Sequence, residues 1–258
     1  PGFNVYGYED AIAVIKAAEK LEAPLIIMAN KDAVEHMEVE YLGPLLTALA
    51  GDARVPVAVH LDHAYDYGLI VRAIKAGFSS VMYDGSQLPI RDNIAKTREV
   101  VKLAKACGVS VEAEIGSVGY SDPTIQAKAI YTNTEEAAEF AEKTGIDALA
   151  VAIGTVHRMK MQKASIQFDR LAEIEKVVDT PLVIHGSSGV KDADLKKLVK
   201  HRVGKVNIGT ALRMAFGNTL RKEFTENEDE FDRIKLFKKP MKAVEKIVLE
   251  KYKLLGFH

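Results

Sequence analysis

The chain has 258 residues, 48% of them hydrophobic and 28% charged, with 35 Lys and Arg against 36 Asp and Glu. That length suits one (β/α)8 barrel or two small domains, and the balanced charge excludes the basic field that non-specific nucleic-acid binding needs. No apolar run approaches the roughly 20 residues of a membrane helix, no signal peptide is visible, and the single Cys107 allows no disulfide within the chain. No membrane partner and a reducing cytoplasm are therefore expected.

Taken in order, apolar runs alternate with helical patterns. Residues 2–5 read as a short strand, and because the chain opens inside it a piece before Pro1 is expected. Residues 9–21 have helical periodicity, with Ile12, Ile15, Ala18 and Leu21 sharing a face. A strand at 24–28 precedes a helix at 38–49. A strand at 56–61 precedes a helix at 67–76, which ends at Gly77. A strand at 79–83 precedes a long amphipathic helix at 91–107, closed by Gly108. After a strand at 109–115, residues 116–131 form a Gly-, Ser- and Asp-rich loop long enough to be a lid. Thr134 is the expected N-cap of a helix over 134–143, closed by Gly145. Strands at 148–153, 181–184 and 205–208 are then followed by helices at 169–178, 192–200 and 211–224.

About eight apolar runs interleave with helices, and they are Val/Ile/Ala-rich, as strands buried on both faces are. The reading is an α/β chain forming a closed (β/α)8 barrel as one domain over 1–258. An open doubly wound sheet is the competitor, disfavoured because no Gly-x-Gly-x-x-Gly follows the first strand. The Lys-rich tail, about 225–258, places Met241, Val244, Ile247 and Val248 at helical spacing. It reads as an amphipathic arm packed outside the barrel, or as an interface arm that helps hold a second phosphate.

Chemistry concentrates at strand ends. His63, His157 and His185 follow the third, sixth and seventh strands, which a barrel would bring to one rim. Three imidazoles with an open position are a catalytic zinc ligand set. His60, opposite in parity to His63, reads as support for a ligand. His36, His201 and His258 read as surface residues on helices or the tail. Asp62 is placed either to shuttle a proton or to orient His63. Asp84, Glu112 and Glu114 end the fourth and fifth strands, as partners of the ligands or as a second metal position. Gly186, Ser187 and Ser188 follow the seventh strand. Asn207, Ile208, Gly209 and Thr210 follow the eighth and open a helix, the pattern that turns backbone N–H groups toward an anion.

The series Gly2-Phe3-Asn4, His60-Leu61-Asp62-His63, Asp84-Gly85-Ser86, Glu112-Ala113-Glu114-Ile115-Gly116, Gly154-Thr155-Val156-His157, His185-Gly186-Ser187-Ser188 and Lys205-Val206-Asn207 resembles the class II, zinc-dependent ketose-bisphosphate aldolases of the fructose- and tagatose-bisphosphate type. The resemblance covers nearly the whole chain and implies a TIM barrel. It implies zinc on His63, His157 and His185, Asp62 as catalytic acid and base, and a second divalent or monovalent cation at Asp84 and Glu114. It implies phosphate contacts from Gly186 to Ser188 and from Asn207 to Thr210, with Asn4 also touching substrate. The partner is then a phosphorylated sugar cleaved to dihydroxyacetone phosphate and an aldehyde such as glyceraldehyde 3-phosphate, by a homodimer or homotetramer. Where the family has glycine after its sixth-strand histidine, this chain has Arg158, which adds a phosphate contact or fills the site. Where the family has two glycines and an acid, this chain has Gly119-Tyr120-Ser121-Asp122, making Asp122 a shortened stand-in for the second catalytic acid. A ketose 1-phosphate, a phosphorylated deoxy-keto acid and a non-catalytic phosphosugar-binding role are the alternatives. A lysine-based aldolase is disfavoured, because residues 148–153 carry no lysine and Lys205 opens its strand, at the end away from the rim.

Overall fold

The computed structural model describes residues 1–121 and 129–257. Among them, eight parallel strands close into a barrel: β1 (Gly2–Asn4), β2 (Leu25–Ala29), β3 (Val57–Ala64), β4 (Ser80–Tyr83), β5 (Ser110–Ile115), β7 (Ala148–Val151), β9 (Leu182–Ile184) and β10 (Val203–Ile208). β10 pairs with both β9 and β1, so the last strand meets the first and leaves no free edge. The closed parallel barrel with surrounding helices is the expected (β/α)8 architecture. The two remaining strands, β6 (Gly119–Tyr120) and β8 (Val156–His157), form a separate ladder above it.

Alternation along each strand sorts the side chains. Val59 and Leu61, Val81 and Tyr83, Val111 and Ala113, and Val206 and Ile208 join the main core between barrel and helices. Met82, Ala150 and Val183 form a separate small cluster. The odd-one-out positions of the same strands are polar and buried: His60, Asp62, Glu112, Glu114, Lys205 and Asn207. These strands are thus apolar outward and mixed inward, which is how a sequence builds chemistry into a barrel without exposing the core.

The helices are α1 (Tyr8–Lys20), α2 (Lys31–His36), α3 (Val39–Asp52), α4 (Tyr67–Lys75), α5 (Ile90–Ala106), α6 (Thr134–Thr144), α7 (Phe168–Val177), α8 (Asp192–Leu198), α9 (Thr210–Glu226) and α10 (Arg233–Leu254). Two details correct the sequence reading. Asn133, not Thr134, caps α6, its side chain accepting from the Glu136 N–H at 3.0 Å. Thr134 instead begins the helix proper. On α1 the buried stripe runs through Ala11, Val14, Ile15 and Ala18, with Ile12 only half-buried.

The basic tail folds as α10, which packs on α9 and α1. Val244, Val248 and Tyr252 are fully buried, and the Tyr252 hydroxyl donates to the Pro24 carbonyl at 2.9 Å. Each such side chain contributes about 1.5–3 kcal/mol of burial, enough to hold the arm on the barrel wall. Its lysines stay on the solvent side, apart from Lys251, which reaches Asp192 at 3.4 Å. Among the described residues, no helix is long and apolar enough to cross a membrane.

Candidate functional site

Neighbouring residues on a regular strand face opposite sides, yet Asp62 and His63 line the same cavity. The β3–β4 register shifts between Leu61 and Ala64, and His63 takes φ 53°, the left-handed region. That conformation costs a non-glycine residue roughly 1–2 kcal/mol. It turns the imidazole inward beside the carboxylate.

His63 Nδ1 lies 2.7 Å from Asp84 Oδ2, while its Nε2 is buried with no hydrogen-bond partner. His157 arrives from β8, whose ladder to β6 sets Tyr120 against it, the two rings stacked at 4.7 Å. His185 follows β9; its Nε2 lies 2.9 Å from Glu112 Oε1 and its Nδ1 3.1 Å from Asn207 Nδ2. The ring of His63 is 4.9 Å from that of His157 and 4.5 Å from that of His185. One donor atom from each of the three histidines lies within 4.8 Å of the others, and the same is true of His63, Asp84 and Glu114. A buried, unpaired imidazole nitrogen facing two other imidazoles fits a zinc ion, with Asp84 and Glu112 as the carboxylates that orient its ligands. His63, Asp84 and Glu114 fit a second cation position, sharing the same histidine.

The electrostatics point the same way. Burial alone would lower the His63 pKa, but Asp62, Asp84 and Glu114 outweigh it and push it up to about 10. Burial, and then the charge on His63, hold His157 and His185 below the usual range. The metal-free cluster therefore keeps one proton where a cation would sit. Burial raises the Glu114 carboxyl and the charge of Asp84 adds to it. Burial would also raise Asp62, but His63, His185 and Lys205 together hold it well below the ordinary carboxylate range.

Asp62 is 3% exposed and is gripped at both oxygens. Asn4 Nδ2 donates to Oδ2 at 2.8 Å and Asn207 Nδ2 donates to Oδ1 at 3.1 Å. Next to it lie the two Gly/Ser turns. Gly186 has φ 66°, and a Cβ there would sit 2.8 Å from the Val156 backbone, so only glycine lets this turn pack on the strand carrying His157. Gly209 precedes Thr210 at the N-terminus of α9, and Ser188 Oγ accepts from the Ala211 N–H at 3.2 Å. All of these groups border one cavity of about 540 Å³.

Asn4, Asp62, His63, His157, Arg158, His185, Gly186, Ser188, Asn207, Gly209 and Thr210 line the cavity as the sequence suggests. Ser187 and Ile208 do not. Ser187 Oγ is turned onto the Asn207 carbonyl, and Ile208 is in the core, so contact from Ile208 could come only through its backbone. Asp122 lies outside the described residues, as does His258. His60 is buried beneath the ligands, its Nδ1 2.8 Å from Ser80 Oγ. His201 sits in a turn, half-buried, with Glu175 Oε2 at 2.8 Å. Lys205 does not open its strand, but it lies below the cavity, at the end away from the rim as expected. β10 begins at Val203, and Lys205 shares the inward parity of Asn207, its side chain 2.6 Å from Glu112 Oε2.

Sequence reading missed Asp32 and Arg213. Arg158, at φ 59°, places Nη2 3.1 Å from Asp32 Oδ2, and Arg213 Nη1 lies 3.3 Å from the same oxygen. The bridge joins α2, the segment after β8 and the first turn of α9 at the cavity mouth. α2 has six residues, too few for periodicity to reveal; its one local signal is Asn30, whose side chain caps the Ala33 N–H at 3.1 Å.

Comparison with known proteins gives the family and the fold. A family model described as fructose-bisphosphate aldolase class II matches residues 1–258. The crystal structure of the YdjI aldolase from Escherichia coli is 35% identical, with TM-score 0.86 over 99% of this chain and 90% of that one. A putative fructose-1,6-bisphosphate aldolase from Coccidioides immitis is 29% identical, with TM-score 0.87 over 99% of this chain and 90% of that one. The fructose-bisphosphate aldolase of Campylobacter jejuni, 23% identical, shares the fold with TM-score 0.85 over 99% of this chain and 89% of that one.

Proposed function

The chain belongs to the class II fructose-bisphosphate aldolase family and is an aldolase, and on that premise we propose that it cleaves a phosphorylated ketose reversibly to dihydroxyacetone phosphate and an aldehyde. The observation that carries this reading is the meeting of three imidazoles, a buried carboxylate and two anion-binding turns in one cavity.

His63, His157 and His185 would hold zinc, which when bound supplies a Lewis acid that polarises the ketose carbonyl. Asp62 takes the proton from the hydroxyl beyond the breaking bond and returns it in condensation. Asn4 and Asn207 keep its two oxygens in place, so the proton is received at a fixed position. Gly186, Ser187 and Ser188, with Asn207, Ile208, Gly209 and Thr210, hold the phosphate through backbone N–H groups and the start of α9. Arg158 adds a planar guanidinium at the mouth of that cavity. Asp122 is the second acid, moving the proton of the dihydroxyacetone phosphate half. Asp84 and Glu114 hold a second cation. The subunits assemble as a homodimer or homotetramer in the cytoplasm, on a carbohydrate pathway such as glycolysis.

Fructose or tagatose 1,6-bisphosphate, giving glyceraldehyde 3-phosphate, is the leading substrate. A ketose 1-phosphate is the second reading, favoured by one observation. Among the described residues, the cavity wall sets Lys31, Arg158 and Arg213 against Asp32, Glu35 and Asp62, and both arginines share Asp32. These side-chain charges balance three against three, so no surplus of positive charge stands ready for a second phosphate. Cleavage rates of paired 1-phosphates and 1,6-bisphosphates, with and without exhaustive chelation, decide both points. Cleavage of neither class after zinc loading refutes the aldolase reading of this site. Full activity after chelation refutes the role of the metal.

A further inference from the structure

Below the cavity, and not lining it, three polar side chains fill the barrel interior: Lys205, Glu112 and His60. Lys205 Nζ donates to Glu112 Oε2 at 2.6 Å and lies 3.1 Å from His60 Nε2. An ammonium only donates, so His60 Nε2 accepts and the His60 proton sits on Nδ1, which donates to Ser80 Oγ at 2.8 Å. The lysine is therefore fixed from one side by His60 and Ser80. On its other side it grips one oxygen of Glu112, leaving Oε1 to face His185 Nε2 at 2.9 Å.

A carboxylate held by an ammonium is acceptor-only. His185 must then carry its hydrogen on Nε2, and Nδ1 is left as an acceptor toward the cavity, where Asn207 Nδ2 lies 3.1 Å from it. We propose that Lys205 is a positioning residue for the metal ligand His185, acting through Glu112 to fix the ring orientation and tautomer that present Nδ1 to zinc. The proposal rests on the zinc reading given above. It also explains why a lysine stands inside the barrel of an aldolase without being its nucleophile: Nζ is committed to two buried partners beneath the site. Without the ammonium, Oε2 would be an unpaired anionic oxygen in a dry interior. The carboxylate would relax toward water and release the His185 ring.

The test is a set of zinc affinities measured by chelator competition for the wild type, Lys205→Met, Glu112→Gln and the double variant. Lys205→Met is expected to weaken zinc binding by about 10–100-fold, the usual effect of losing a partner of a metal ligand. It should also alter the visible spectrum of the cobalt-substituted enzyme. The inhibition constant for inorganic phosphate should stay within about twofold, because Lys205 does not touch the cavity. In the Glu112→Gln background the lysine change should add no more than about twofold, since the route through Glu112 is already cut.

A folded Lys205→Met enzyme that binds zinc within about twofold of wild type overturns the proposal, as does an equal loss in both backgrounds. If Lys205→Met does not fold, Glu112→Gln against the double variant decides. Equal affinities support the relay, and a further loss of about tenfold refutes it. Absence of tight zinc binding by the wild type defeats the zinc reading itself, which is a different failure.

Discussion

Replacing Asp62 with alanine separates the two halves of the site. The carboxylate is 3% exposed, and its removal leaves Asn4 Nδ2 and Asn207 Nδ2 without their acceptor. Two buried donors cost about 1–3 kcal/mol each when unpaired, partly offset because a carboxylate no longer has to be buried. A net loss of about 1–3 kcal/mol follows, or a fall in Tm of about 2–4 °C per kcal/mol for a chain of this size. Catalysis loses far more. A missing general acid–base group lowers turnover by about 10²–10⁴-fold, or about 3–5 kcal/mol of barrier. The assay couples released dihydroxyacetone phosphate to its NADH-dependent reduction, with zinc measured on the same sample. Zinc content should stay near wild type, because none of the three histidines is altered. Solvent hydrogen should still exchange into dihydroxyacetone phosphate, because that half lacks the hydroxyl whose proton Asp62 moves. Turnover within about threefold of wild type at full zinc content refutes the role of Asp62. Exchange and cleavage falling together by the same factor would move Asp62 to a different proton.

Other consequences are open to measurement. In the metal-free enzyme the His63 pKa is raised to about 10 and that of Glu114 is raised too, so folding takes up protons. Apoenzyme stability should therefore be greatest at low pH within this window and decline as pH rises from about 6.5 toward 10; urea midpoints that rise across that range contradict the assignment. Zinc affinity should rise over the same window, because the ion displaces the His63 proton. Arg158→Gly removes one guanidinium from the mouth at a position whose φ of 59° suits glycine. KM for the phosphorylated ketose should rise about tenfold or more, the size of one charge-assisted contact, with kcat changed by less than about threefold; an unchanged KM removes Arg158 from the substrate. Gly186→Ala forces a methyl against the Val156 backbone at 2.8 Å. It should cost at least about 1–2 kcal/mol of stability and weaken zinc binding by displacing His157; a neutral substitution in thermal melts shows that the turn is not packed as described.

The parts of the fold that repeat were legible. Strands buried on both faces read as Val/Ile/Ala runs, and the glycines after their helices marked the turns. Residues at strand ends were legible for the same reason, since a barrel brings successive strand ends to one rim. What the sequence hid depends on departures from regular geometry. Strict alternation sets Asp62 and His63 on opposite faces, and only the shift at Leu61–Ala64 with the left-handed His63 unites them. Lys205 looked like the start of a strand, but β10 begins two residues earlier at Val203, with the register to β9 shifting between them. Asp32 and Arg213 are 181 positions apart, and no local pattern announces that they share an ion pair at the cavity mouth. Asn4 was expected at the substrate; its amide also grips Asp62, a contact spanning 58 positions that only barrel closure creates.

The most direct test is condensation. Zinc-loaded enzyme is given dihydroxyacetone phosphate with a series of aldehydes, phosphorylated and not, and the loss of dihydroxyacetone phosphate is followed together with the new ketose phosphate. The predicted result is zinc-dependent carbon–carbon bond formation with at least one aldehyde class, abolished in Asp62→Ala. No ketose formed from any aldehyde by folded, zinc-loaded enzyme would contradict the assignment of the His63, His157, His185 and Asp62 cluster as an aldolase centre.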